Sequence, residues 1–199
     1  MNHSGDTHRL MQQVEDYALQ FLSQGRKDWD IPHTRAVVGH IQDITKSENQ
    51  DVLVLETAAW LHDIGYFGLF DDRDSKQNDV IETRKDLHME KGAEFARAFL
   101  DKPEIATFYT QTQKNRIIHL ICIHDKLEQL KDLDEIILME ADTLGQIDVE
   151  HVPPTFDYDN AMSWYTSTVE KKRAPKFRTQ LGKEKLNILL PKFLDYFRK

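Results

Sequence analysis

The chain has 199 residues, 40% hydrophobic and 30% charged, a balance that excludes a disordered or membrane-embedded chain and fits one domain with its own core. A formal charge of −8 and a pI near 5.6 exclude broad attraction to a nucleic-acid duplex or an anionic membrane; a small anionic ligand would need local positive charge or a bound metal. A single cysteine, Cys122, excludes an internal disulfide, and in the apolar run IIHLICIHD it reads as a buried thiol in a reducing, cytoplasmic setting.

The N-terminal MNHSGDTHRLMQQ lacks the charged-then-apolar pattern of a signal peptide, and no window reaches the roughly 18 apolar residues of a membrane span, so the protein is expected to stay where it is made. In THRLMQQVEDYALQFLSQG, Leu10, Val14, Tyr17, Ala18, Phe21 and Leu22 recur at helical spacing up to Gly25. Asp30 and Pro32 then start a second helix, with His33 in its first turn and Val37, Val38, Ile41 and Ile44 on its buried side. The segment QDVLVLETAAWLHDIGY is apolar on nearly all sides and reads as a central helix that ends at Gly65, although VLVLE alone resembles a strand. The polar loop FDDRDSKQND follows directly, in a position that suits a lid as well as a merely solvated run.

A fourth helix is expected from Thr83 to Leu100, carrying His88 and ending before Pro103. After Pro103 the chain reads as helical to His124, LEQLKDL as a short connection, and LDEIILMEADTLGQI as another apolar helix. DVEHVPPTFDYDN is a loop by its prolines, and two helices, around Ala161 to Lys171 and Gly182 to Arg198, close the chain with a bend expected at Pro191. The class is all-α: one helical domain over residues 1–199, with the chemistry in about 30–146 and C-terminal helices in about 159–199.

An ionised aspartate in an apolar helix costs several kcal/mol unless it is paired or bound to a metal. His62 and Asp63 therefore need a partner; adjacent side chains diverge by about 100° on a helix, which suits a shared ion better than a mutual salt bridge. Further donors sit on the expected helices: His33, His88, His124 and Asp142. Four imidazoles and two carboxylates without thiolate suit a divalent transition metal, iron or manganese before cobalt, zinc or magnesium, and six donors exceed what one catalytic ion needs. A natural division gives His33, His62, Asp63 and Asp142 to one ion and His88 and His124 to a second, with Asp63 bridging. Two ions about 3.5–4 Å apart clamp a phosphoryl group and supply a hydroxide nucleophile. His40 shares a helix face with His33 but lies about 10 Å along it, so one ion uses only one of them. His119 points away from His124, Glu140 is expected in solvent or behind the donors, and His3, His8 and His151 carry no site reading.

This pattern, H…HD…H…H…D in the contexts PHTRAV, AAWLHDIG, HMEKGA and EADTLG, resembles the HD-domain metal-dependent phosphohydrolases over residues 30 to 146. The resemblance selects His33 over His40. It implies a cytoplasmic hydrolase of phosphoester or phosphoanhydride bonds in a nucleotide or related small metabolite, with Asp63 bridging the ions and orienting the nucleophile. Similar scaffolds also hold mixed-valent di-iron oxygenases, and a non-catalytic metal- or nucleotide-binding sensor is a third reading; oligomeric state is left open. Several relatives that handle nucleotide phosphates carry a lysine where this chain has Tyr66, so that lysine contact does not carry over; Arg73, Arg84, Lys91 and Lys126 are candidates to replace it, and Tyr66 itself is a candidate substrate contact.

Overall fold

The computed structural model describes residues 3–71 and 78–198, and its regular structure is helical, with no strand among the described residues. Helix α1 (His3–Leu22) buries Leu10, Val14, Ala18 and Leu22 along one stripe. A tight turn follows, with Asp28 in the left-handed region (φ 61°), and reverses the chain into α2 (Asp30–Ile44). Helix α3 (Val52–Leu61) starts where the Asp51 carboxylate accepts the Val54 amide (3.2 Å), and it runs through the middle with Leu55, Ala58, Ala59 and Leu61 fully buried. The VLVLE run is thus helical, because a helix enclosed on every side needs no polar face.

Beyond α3 the chain makes a single 3₁₀ turn, Ile64–Tyr66, and α4 spans Asn78–Leu100. Gly65 does not end a helix; it sits inside that turn and lets it press on α4. A Cβ there would stand 1.8 Å from the His88 carbonyl oxygen and 2.5 Å from the Gly92 nitrogen. The expected continuous helix after Pro103 is instead a one-turn α5 (Pro103–Ala106), a break, and α6 (Gln111–Ile123), which is restarted by the reciprocal hydrogen bonds of Thr110 and Gln113. Helix α7 (Leu133–Ile147) is buried over most of its circumference and packs along α2.

The C-terminal part is α8 (Tyr158–Trp164), a widened π-helical stretch (Tyr165–Arg173), a 3₁₀ turn (Ala174–Lys176) and α9 (Gln180–Tyr196), which contains Pro191. Glu140 holds this part in place and is not in solvent. It is fully buried on the side of α7 that meets α9, and its carboxylate accepts the Arg178 and Thr179 amides (2.5 and 3.0 Å) and the Thr179 hydroxyl (2.5 Å). Cys122 is half-buried rather than buried. Among the described residues no helix is long and apolar enough to cross a membrane.

Candidate metal centre

All six expected donors are buried, and they converge from five helix segments: His33 from the first turn of α2, His62 and Asp63 from the end of α3, His88 from α4, His124 from the end of α6, and Asp142 from α7. Asp63 divides them. Its Oδ2 faces His62 Nε2 (3.4 Å) and His33 Nε2 (3.6 Å), while its Oδ1 faces His88 Nε2 (3.5 Å) and His124 Nε2 (3.6 Å). Asp142 joins the first set through Oδ1, 3.0 Å from His33 Nε2 and 3.8 Å from His62 Nε2. Two clusters therefore share one carboxylate: His33, His62 and Asp63 on one side, and Asp63, His88 and His124 on the other, each bring their donor atoms close enough together for one ion, with Asp142 beside the first.

The donor chemistry fits metal. His62 and His124 place Nδ1 against the carbonyls of Ala59 (2.7 Å) and Ile121 (2.9 Å), which fixes the proton on that nitrogen and leaves the Nε2 lone pair facing inward. Nε2 of His33 and of His62 are buried without a hydrogen-bond partner although carboxylate oxygens lie nearby, an arrangement that calls for a cation between them. Burial, His124 and other neighbours hold His88 down to about 3, so it offers a neutral ring. Burial also opposes charge on His62, but Asp63 and Asp142 outweigh it and push that ring up to about 9, so a metal would take the place of a proton at its Nε2. Burial likewise works against the Asp63 and Asp142 carboxylates, and the cations around them hold both well below the usual range.

Two of those cations escape a reading of the sequence. Arg26, in the turn before α2, donates from Nε to Asp30 Oδ1 (2.6 Å) and from Nη2 to Asp63 Oδ2 (2.5 Å). Arg173, at the end of the π-helical stretch, donates from Nη1 to Asp142 Oδ2 (2.6 Å) and from Nη2 to Asp125. Each inner carboxylate thus leans on a buried arginine that a further aspartate anchors. One signal was available for Asp125: IHDK repeats the HD dipeptide of LHDI. Arg173 lies in the basic run EKKRAPK, where nothing separates it from its solvated neighbours.

Tyr66 is buried between two flat groups: its ring stacks on His88 (4.0 Å, 7°) and carries the Arg26 guanidinium 4.2 Å from its centroid. Above the donors lies a cavity lined by Arg26, Tyr66, Asp63, Asp142 and Arg173, with Lys85 at one side and Trp29, Phe156, Trp164 and Phe193 as an aromatic wall. Of the other candidate cations, Lys126 lines an adjoining groove that shares Lys85, Asp125 and Arg173 with the cavity. Lys91 is turned away, donating to the Phe67 carbonyl (2.9 Å), and Arg84 is half-buried and does not line the cavity. Arg73 and most of the loop considered as a lid lie outside the described residues. His119 pairs with Glu135 (2.8 Å), and His40 faces Asp148 (3.6 Å), both away from the donors.

A helical bundle that, among the described residues, gathers four imidazoles and two carboxylates in its core in the order H…HD…H…H…D is built to hold divalent metal. The sequence profile of the HD domain matches residues 31–145, more than half of the chain, and the protein belongs to the HD-domain family. No curated protein and no solved structure matches it significantly.

Proposed function

We propose that the protein is a two-metal phosphohydrolase that cleaves a phosphoester or phosphoanhydride bond in a nucleotide or related small metabolite. The division of Asp63 carries this reading: one carboxylate presents one oxygen to His33 and His62, which Asp142 also faces, and the other to His88 and His124, as a carboxylate shared by two ions would. His33, His62, Asp63 and Asp142 would hold the first ion, and Asp63, His88 and His124 the second. When bound, such ions supply Lewis acidity and lower the pKa of water to near neutrality.

The chain's own residues do the rest. Four aspartates (30, 63, 125 and 142) against two arginines (26 and 173) give the core a formal charge of −2, which two divalent ions would reverse to +2, matched to a phosphoryl dianion. Neutral imidazoles fix the ions without adding charge that repels phosphate. Asp63, in contact with both clusters, orients the nucleophile, and the aromatic wall offers a stacking surface for a flat base while excluding water.

The test is the metal content of freshly purified protein, followed by a screen of nucleotides and simple phosphoesters with that metal restored. Metal-dependent release of phosphate that is indifferent to oxygen is expected. Turnover that consumes oxygen, or that persists after complete metal removal, would overturn the assignment.

A further inference from the structure

The proposed reaction leaves unexplained why two arginines are buried against the very carboxylates that would hold metal. Each guanidinium spans two aspartates, one inside the donor set and one outside it: Arg26 joins Asp63 to Asp30, and Arg173 joins Asp142 to Asp125. The oxygen that Arg26 takes, Asp63 Oδ2, is the one that faces His33 and His62. A carboxylate oxygen shared between a guanidinium and a divalent ion gives up much of its interaction with the former, because the ion carries twice the charge at a shorter distance. At Asp142 the two are separated, Arg173 on Oδ2 while Oδ1 faces His33 and His62, so an ion there weakens the Arg173 contact by drawing on the charge of the same carboxylate rather than by taking its oxygen.

The outer aspartates are not donors, so they keep their hold. Asp30 is fully buried and binds Arg26 twice, through Nε and through its backbone amide (both 2.6 Å). The stack on Tyr66 fixes the plane of the Arg26 group. Both arginines line the cavity over the donors, so N–H groups freed from Asp63 and Asp142 face its interior. A planar fork held at one end by a carboxylate is well suited to a tetrahedral oxyanion at the other.

We infer that Arg26 and Arg173 are stand-in cations that hold Asp63 and Asp142 in the metal-free chain and, once divalent ions take those carboxylates, become the groups that bind the phosphoryl oxygens. The inference rests on the metal-centre reading above, and it makes oxyanion binding conditional on metal loading. Asp30, Asp125 and Tyr66 are then positioning residues.

The experiment is calorimetric titration with Mn²⁺ alone, and then with inorganic phosphate at saturating Mn²⁺, on the wild type and on R26Q, R173Q, R26K, R173K, Y66F and Y66L. Without its competitor the metal should bind the glutamine variants as tightly as the wild type or more tightly, while phosphate binds them about tenfold or more weakly. The lysine variants keep a buried positive charge, fold if the glutamine variants do not, and should fall between. Y66F keeps the platform and should match the wild type, whereas Y66L should weaken phosphate alone. A purely structural role would move both ligands together: parallel loss of Mn²⁺ and phosphate, or unchanged phosphate affinity in the lysine or glutamine variants, overturns the inference. Phosphate binds whether or not the chain hydrolyses anything, so an intact phosphate response in a protein without turnover would remove the hydrolase reading and leave this one standing.

Discussion

The segment from α2 to α7 and the segment from α8 to α9 contribute to one cavity in different currencies. The first supplies every donor of the metal centre, each near a helix end or on a buried face; the second supplies Arg173 and much of the aromatic wall. Donors must meet within a few ångströms, so their residue types and spacing are narrowly constrained. A wall and a guanidinium only need to arrive, and many sequences deliver them. The segment that gathers the donors is therefore the one that carries a pattern, and the segment that walls the cavity carries none.

The largest effect that would break this division is expected from Gly65→Ala, because the new methyl group meets the α4 backbone, which cannot rotate away. Destabilisation of about 3 kcal/mol or more by chemical denaturation is expected, with loss of metal as His88 moves away from Asp63. Glu140→Ala attacks the other side. It strips the acceptor from two backbone amides and the Thr179 hydroxyl, at a cost of about 2–3 kcal/mol, and should loosen α9 while the metal content holds.

Trp164→Ala sharpens the comparison without unfolding either part: KM for a nucleotide should rise about tenfold while turnover of a small phosphoester without a base is unchanged, and equal losses on both would deny the wall its role. The smallest effect is expected at Asp148, which follows α7 and contacts His40 on α2 and His151 beyond it (3.6 and 2.9 Å). Burial opposes its ionisation, but the two histidines hold its carboxyl down to about 2, from an ordinary 3.8. A depressed carboxylate contributes above its unfolded-state value and loses that contribution as pH falls. Asp148→Asn should thus cost about 1 kcal/mol at neutral pH, and its gap from the wild type should close as pH falls from 3.8 to about 2.

His33, His62, Asp63, His88, His124 and Asp142 were legible because polar residues in apolar helical context demand a reason, and their order supplied one. Glu140, expected in solvent or behind the donors, is in neither place, because a helix packed against α2 on one side and α9 on another has little solvent face and turns this carboxylate to the start of α9. Lys85 was missed for a directional reason. The cavity lies toward the N-terminal end of α4 from His88, where Ile81, Glu82 and Lys85 line it, and Lys91 lies on the far side. Tyr66 is legible as a departure from the family's lysine, but its place under the Arg26 guanidinium depends on a turn 40 residues earlier in the chain, a proximity that no local pattern encodes.

The shared carboxylate is the centre of the account, and metal stoichiometry tests it most directly. Elemental analysis after saturation with Mn²⁺ and removal of loosely bound ions should find two ions per chain in the wild type, one in the H88A/H124A double variant, and essentially none in D63A, with all three folded by circular dichroism. A wild type that holds one ion, or a D63A variant that still holds two, would contradict the bridging role of Asp63 and the two-metal reaction built on it.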